Sequence, residues 1–196
     1  MYILLKKKKV KMSIDVFKYT EFDIHIKDNF IEPDMFKFIY EKIPFHNYSG
    51  DSHRYKGDLN KQHHLFFAAK TEPEVRNYVK ERCEKLYNKK FEQGYCDYTM
   101  VMHRKEPMPH HDLGDDVSHQ IIIYIRGEAG LNKGTGFYTH DKENNKYVLN
   151  THVGFNENRG IFWDSHAYHS PLLWNDENKK SMRYSIVSQF KEIKDE

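Results

Sequence analysis

The chain has 196 residues, of which 38% are hydrophobic and 31% charged, a length that suits one domain of ordinary size. Aromatic residues account for 15% of the chain, and their large side chains can build a core, which argues against extended disorder outside the termini. No apolar run approaches the roughly 18 residues that a membrane-spanning helix needs. These features indicate a globular protein without a membrane span.

The formal net charge is +2, and five of the basic residues are lysines within residues 1–12, which contain no acidic residue. The rest of the chain is therefore slightly acidic, so nucleic acid is not the expected partner. We expect residues 1–12 to be a flexible, solvated terminus. Contact of the lysines with nucleic acid or lipid head groups is the alternative.

The two cysteines, Cys83 and Cys96, are too few for a disulfide framework or a four-cysteine zinc site. The short apolar stretch at the start of the chain precedes its lysines, which is the reverse of the order in a secretory signal. Both features favour the cytoplasm, or the host cytoplasm if the chain is viral.

The region over residues 13–94 is predicted to support a catalytic core. Residues 13–32 alternate as an extended segment does, and Pro33 can open a helix that Pro44 ends. Thr71 and Glu74 form a capping-box pattern at the start of a second helix, which should run to about residue 90.

Beyond Gly94 the pattern changes to short strands separated by turns. The predicted strands cover 95–103, 117–126, 137–139, 146–149, 159–166 and 183–191, with a turn at 141–145. Short strands at close spacing are typical of a β-sandwich or barrel. We therefore expect a mainly β core over residues 95–196, with the helices of the preceding region covering one face.

Histidine is the unusual residue type, with 13 in the chain and eight between residues 101 and 170. His110 and Asp112 are two residues apart, a spacing that places both side chains on one side of a strand end. His169 lies where an apolar strand runs into a loop. Two histidines and one carboxylate on one face of an octahedron form the ligand set of non-haem Fe(II) oxygenases. The His-x-Asp pattern alone recurs by chance, so it needs further support.

Arg183 opens the last predicted strand and would point into a barrel. A buried guanidinium requires an anionic partner, which a dicarboxylate cosubstrate would supply through a bidentate ion pair. Ser185 faces the same way and could add a hydroxyl hydrogen bond. The alternative is an ordinary salt bridge between Arg183 and one of the acidic residues.

Five segments, taken in order, resemble the 2-oxoglutarate/Fe(II)-dependent dioxygenases, and most closely the prolyl-hydroxylase-like branch with its small bacterial and viral members. The segments are His110-x-Asp112, Ile121-Ile-Ile-Tyr124-Ile, Gly134-Thr-Gly-Phe-Tyr, Asn158-Arg-Gly-Ile-Phe-Trp-Asp-Ser with His169-Ser-Pro, and Arg183-Tyr-Ser-Ile. The resemblance covers about residues 95–191 and extends more loosely to residues 27–34.

The resemblance implies a double-stranded β-helix, a jelly-roll barrel of two facing sheets. It also implies iron ligands at His110, Asp112 and His169, and a 2-oxoglutarate site made by Arg183, Tyr124 and Ser185. The cofactors would be Fe(II), 2-oxoglutarate and O2, with ascorbate as a further candidate. The reaction would hydroxylate a C–H bond and release succinate and CO2.

Several alternatives stay open at this point. His166 is a rival third ligand, whereas His111 should point away from the metal. A metal-binding, cupin-like sensor or binding module would keep the metal ligands without needing Arg183 or Tyr124, and a structural protein with a degenerate barrel would bind no metal.

The family often has a tyrosine shortly before the His-x-Asp pattern, and none stands there in this chain. A peptidyl side chain is the favoured substrate over a small molecule, and a monomer or weak dimer is expected.

Overall fold

The computed structural model describes residues 15–18, 22–50, 64–103, 109–112, 116–127, 130–172 and 183–194. The lysine-rich residues 1–12 lie outside this range. The elements, in chain order, are β1 (Asp15–Lys18), β2 (Asp23–Lys27), α1 (Pro33–Lys42), a 3₁₀ turn (Ile43–Phe45), β3 (Ser49–Gly50), β4 (His64–Lys70), α2 (Pro73–Tyr87), β5 (Lys90–His103), β6 (His119–Arg126), β7 (Gly130–Asp141), β8 (Lys146–Phe155), β9 (Gly160–Asp164), β10 (Tyr168–Pro171) and β11 (Arg183–Ile193).

The strands form two antiparallel sheets. The larger sheet has the order β1-β2-β9-β6-β11-β5-β4-β3, and the smaller sheet has the order β10-β7-β8. His110 adds an antiparallel bridge to His169 at the free edge of β10. From β6 onward the chain passes between the two sheets at the β6–β7, β8–β9, β9–β10 and β10–β11 connections, as it does in a jelly roll. The expected fold class, a mainly β double-stranded β-helix with helices in the first part of the chain, is confirmed.

The larger sheet is buried on both faces, which explains the continuous aliphatic run at the centre of β6. Ile121 and Ile123 face a core that α1 and α2 share with the sheet. Ile122 and Tyr124 face the opposite core, which contains Phe137 of the smaller sheet. Alternate residues of one strand therefore line either the helix-covered face or the interior between the two sheets. The interior face positions the candidate site.

Both helices begin at a proline, whose fixed φ suits the first helical turn. The start of α1 at Pro33 is as predicted. The predicted capping box at Thr71 is wrong, because α2 starts two residues later with Glu72 at its N-cap. The Thr71 hydroxyl instead donates a hydrogen bond of 2.8 Å to the carbonyl of Cys96 on β5. The Thr71 side chain thus binds a residue that is distant in the chain and does not cap the helix in the way that the local pattern predicted.

No helix in the described part of the chain is long and apolar enough to cross a membrane.

Several strands differ from the sequence-based expectation. The strand β4 was not predicted, and it pairs with β5 from His64, opposite His103, to Lys70, opposite Asp97. The hairpin β7–β8 has the predicted turn, in which the Asp141 carboxylate accepts hydrogen bonds from the backbone of Glu143 and Asn144. Both arms are longer than predicted, because cross-strand pairing continues through polar and glycine-containing segments.

Asn158 connects the barrel to the segment that precedes α1. Its backbone is left-handed, with φ of 59°. Its side-chain amide accepts a 2.7 Å hydrogen bond from the backbone N–H of Ile31 and donates a 2.8 Å bond to the Ile31 carbonyl. Its own N–H donates to the carbonyl of Tyr124 at 2.8 Å. One asparagine therefore ties β6 to Ile31, which precedes the asparagine by 127 residues.

We expect Asn158→Ala to lower the free energy of unfolding by about 2 kcal/mol. The substitution leaves two buried backbone groups of Ile31 without their partner and adds the strain of a left-handed alanine. Asn29→Ala is a matched control, because Asn29 has φ of 53° but is exposed, so only the strain applies. Urea unfolding measures both; equal losses in the two variants would contradict the role given to the amide.

Candidate active site

The three potential metal ligands, His110, Asp112 and His169, meet where the His-x-Asp segment pairs with β10. The N–H of His110 donates to the carbonyl of His169 at 3.0 Å, and the N–H of His169 donates to the carbonyl of His110 at 2.8 Å. This pairing places the two imidazole ring centroids 4.7 Å apart. Because Asp112 is two residues beyond His110, its carboxylate returns to the same side as the imidazoles.

The donor atoms of His110, Asp112 and His169 all lie within 4.8 Å of one another. Oδ1 of Asp112 is 3.7 Å from Nε2 of His110, and Oδ2 of Asp112 is 3.6 Å from Nε2 of His169. With metal–ligand bonds of about 2.1 Å, donors in adjacent octahedral positions lie about 3.0 Å apart and opposite ones about 4.2 Å. The two distances from Asp112 fall between these values, so its carboxylate and the two imidazoles are close enough to share a cation.

The surroundings of the His169 imidazole suit metal coordination. Its Nδ1 lies 3.1 Å from the carbonyl of Ala167 and donates its proton there, which leaves the Nε2 lone pair on the side of Asp112. Burial, together with the nearby His110, lowers the pKa of His169 to about 4. The imidazole is therefore neutral near pH 7, as coordination requires.

The other two histidines of this region have different surroundings. The ring of His111 packs against Tyr168 at 4.8 Å between centroids. Nδ1 of His166 lies 2.7 Å from the carboxylate of Asp164, and the His166 side chain is 59% exposed. Within the described residues, only His110, Asp112 and His169 form a group of three potential metal ligands. The structure thus brings His110, Asp112 and His169 together and places His111 and His166 outside this group.

Arg183 lies on the interior face of β11 and is only 2% exposed. Its Nη1 donates a 2.6 Å hydrogen bond to the carbonyl of Gly134, and its guanidinium lies 5.4 Å from the centre of the Tyr124 ring. Burial lowers the pKa of Arg183 from its usual value, yet a guanidinium stays charged in proteins. A full positive charge is therefore held inside the barrel.

Tyr124 and Ser185 stand opposite each other on β6 and β11. The Tyr124 hydroxyl lies 2.7 Å from Oγ1 of Thr135, and its ring stacks on Phe155 with 4.8 Å between centroids. Ser185 is fully buried, and its Oγ has no hydrogen-bond partner among the residues that the structure describes. Ser185 therefore places a hydroxyl without a described partner on the same face of β11 as the buried Arg183, two residues away.

Two residues of this pocket, Gly134 and Thr135, received no role from the sequence, although they stand in a quoted motif. Gly134 has φ of +148°, and a Cβ there would lie 2.0 Å from the carbonyl oxygen of Val153. Only glycine allows β7 to approach β8 this closely, and this approach presents the carbonyl that Arg183 contacts. The glycines on either side of Thr135 were the sequence feature that could have identified these two residues.

The wall beside His169 is aromatic. The Trp163 ring lies 5.0 Å from the His169 ring and meets Phe137 edge-on at 5.5 Å. Trp163 is 2% exposed and packs inside the barrel. These rings limit the access of water to one side of the triad.

Neither a family model nor a curated protein matches this chain, but solved structures do. An oxidoreductase of the 2OG-Fe(II) oxygenase family from Burkholderia pseudomallei shares 8% identity at a TM-score of 0.58, covering 86% of this chain and 84% of its own. A prolyl hydroxylase from Trichoplax adhaerens, solved with a hypoxia inducible factor oxygen degradation domain peptide, shares 12% at 0.58, covering 86% and 83%. HygX from Streptomyces hygroscopicus, solved with nickel, 2-oxoglutarate and hygromycin B, shares 9% at 0.60, covering 86% and 82%. The chain thus has the double-stranded β-helix fold of the 2-oxoglutarate/Fe(II) oxygenases.

Proposed function

We propose that this protein is an Fe(II)- and 2-oxoglutarate-dependent dioxygenase that hydroxylates a C–H bond of its substrate. The observation that carries the proposal is the combination, inside one barrel, of a His/Asp/His triad with a buried arginine beside a serine hydroxyl that has no partner among the described residues. Fold alone does not assign an activity, so the argument rests on these side chains.

His110, Asp112 and His169 would hold the iron. As a set of two histidines and one carboxylate, they would leave open positions at which the cosubstrate and O2 could bind. When bound, iron and 2-oxoglutarate supply the oxidising chemistry, with succinate and CO2 as the products of the cosubstrate. Ascorbate is a further candidate cofactor. The protein contributes the ligand set and the tautomer of His169, which its bond to Ala167 fixes.

Arg183 would pair with the distal carboxylate of 2-oxoglutarate, and Ser185 and Tyr124 would donate hydroxyl hydrogen bonds to it. The guanidinium presents a planar fork that matches a carboxylate. The Ser185 hydroxyl would gain the partner that it lacks among the described residues. A metal-binding barrel without oxygenase activity would have no use for this buried polar cluster, which favours the enzyme over that rival.

A peptidyl side chain is the substrate class that we favour. Support comes from the fold shared with a prolyl hydroxylase that was solved with a peptide fragment. The equally similar HygX was solved with hygromycin B, so a small molecule is the second candidate. We further infer a cytoplasmic protein, because both cysteines are free and buried. A monomer or weak dimer is the assembly that we propose.

The direct test is succinate release by the iron-loaded protein against a panel of peptides, amino acids and nucleosides. We expect succinate formation that depends on 2-oxoglutarate and O2 and that a member of the panel stimulates. Asp112→Ala is the inactive control. Stoichiometric metal binding without any succinate, with or without substrate, would instead support the metal-binding module.

A further inference from the structure

Two polar side chains with unpaired atoms lie on the interior face of the larger sheet, and one of them, Trp163, is beside His169. Gln120 on β6 is fully buried, and neither its amide nitrogen nor its amide oxygen has a partner within the described part of the chain. Trp163, its register partner on β9, is 2% exposed, and its indole Nε1 is likewise without a partner there. We refer to these residues as the Gln120–Trp163 pair.

The Gln120–Trp163 pair lies at the metal end of the barrel, away from Arg183. Gln120 is opposite Gln189 on β11, six residues from Arg183, which is about 20 Å along the strand at about 3.3 Å per residue. The Trp163 ring, in contrast, lies 5.0 Å from the His169 ring. A cosubstrate that extends from the metal to Arg183 therefore points away from the pair, which is left for another ligand.

The unpaired atoms define the chemistry of that ligand. The Gln120–Trp163 pair offers one acceptor, the Gln120 oxygen, and two kinds of donor, the Gln120 NH₂ and the Trp163 N–H. A secondary amide matches all three, because its carbonyl oxygen has two lone pairs and its N–H is a donor. An ester has no N–H for the Gln120 oxygen, and a carboxylate places negative charge against that oxygen.

We propose that the Gln120–Trp163 pair is a subsite that binds a neutral amide group of the substrate next to the carbon that is oxidised. The proposal rests on the proposed function and deepens it, since an amide beside the reactive carbon is what a peptidyl substrate presents. Gln120 and Trp163 would then be specificity-determining residues.

Thermal unfolding of the ligand-free protein tests the first consequence of this proposal. A buried amide without a partner destabilises the fold, so Gln120→Leu should raise Tm by about 2–4 °C. Gln93→Leu is the matched control, because the Gln93 amide donates a 2.9 Å hydrogen bond to Oγ of Ser188 and its loss should lower Tm. A fall in Tm for Gln120→Leu like that of Gln93→Leu would show a structural role for Gln120 and overturn the proposal.

Binding of a small amide tests the second consequence without turnover. The probe is N-methylacetamide, titrated into Zn(II)- and 2-oxoglutarate-loaded protein while the indole N–H signal of Trp163 is followed by NMR. The protein has two tryptophans, and Trp163→Phe identifies the signal. We expect a saturable shift, with methyl acetate binding roughly tenfold more weakly because it lacks the N–H. Gln120→Leu should weaken N-methylacetamide binding by a similar factor.

Equal binding of the amide and the ester, unchanged amide binding in Gln120→Leu, or no saturable shift would each overturn the subsite. These outcomes are separate from failure of the proposed function, because the titration requires neither O2 nor succinate formation. Selective amide binding without succinate release would contradict the proposed oxygenase activity and would still support the subsite.

Discussion

Asp112→Ala is expected to abolish Fe(II) binding or to weaken it severely. The two oxygens of this carboxylate lie 3.7 Å from His110 Nε2 and 3.6 Å from His169 Nε2, so Asp112 is the anionic member of the triad. Two neutral imidazoles without an anionic oxygen hold a hard dication poorly. His110→Ala and His169→Ala should have the same effect. Anaerobic Fe(II) titration and metal analysis after dialysis measure the loss.

The neighbouring histidines are the controls for this prediction. His111→Ala should retain metal, because the His111 ring packs on Tyr168. His166→Ala should also retain it, because His166 pairs with Asp164 on an exposed turn. If His166→Ala loses the metal while His169→Ala keeps it, the ligand assignment is wrong.

Arg183→Ala is expected to raise the apparent dissociation constant of 2-oxoglutarate by about two orders of magnitude while leaving Fe(II) affinity nearly intact. Arg183 is buried on the interior face, and removal of one member of a buried charge pair costs about 2–5 kcal/mol, since the other charge loses its partner. That range corresponds to roughly thirty-fold to several-thousand-fold weaker binding. Arg183 is outside the triad, so the metal should be unaffected.

Two milder substitutions should give smaller losses of 2-oxoglutarate affinity. Arg183→Lys should recover only part of the loss, because an ammonium cannot reproduce the bidentate geometry. Tyr124→Phe should weaken 2-oxoglutarate binding by about 1 kcal/mol, since it removes one hydroxyl hydrogen bond and no charge. The measurement is an anaerobic titration of the Fe(II) protein with 2-oxoglutarate, followed by the metal-to-ligand absorption band. The proposed function fails if wild-type protein shows no band at millimolar 2-oxoglutarate, or if Arg183→Ala binds as tightly as wild type.

The side chains that share a face of the barrel could be predicted from the chain alone. A two-residue period places His110 with Asp112, and Arg183 with Ser185, whatever the rest of the fold does. The aliphatic centre of β6 likewise indicates a strand buried on both faces. These inferences succeeded because they depend on backbone geometry over a few residues, which neighbouring sequence controls.

Long-range partners decided the remaining features. Thr71 fits a helix cap locally, but the carbonyl of Cys96 takes its hydroxyl. The strand β4 is defined by its pairing with β5, and the first half of β7 and the later half of β8 are defined by their pairing with each other. In each case the competing hydrogen bonds come from residues that are distant in the chain, so local propensity could not weigh them.

The clearest contrast is between His169 and Gln120. The motif around His169 carried enough local information to be preferred over His166, and the backbone pairing with His110 then brought the ligands together. Gln120 looked like an ordinary polar residue at the start of a strand. Only the closure of the two sheets buries its amide beside Trp163 without a partner among the described residues, because burial and hydrogen-bond satisfaction are properties of the packed chain and not of local spacing.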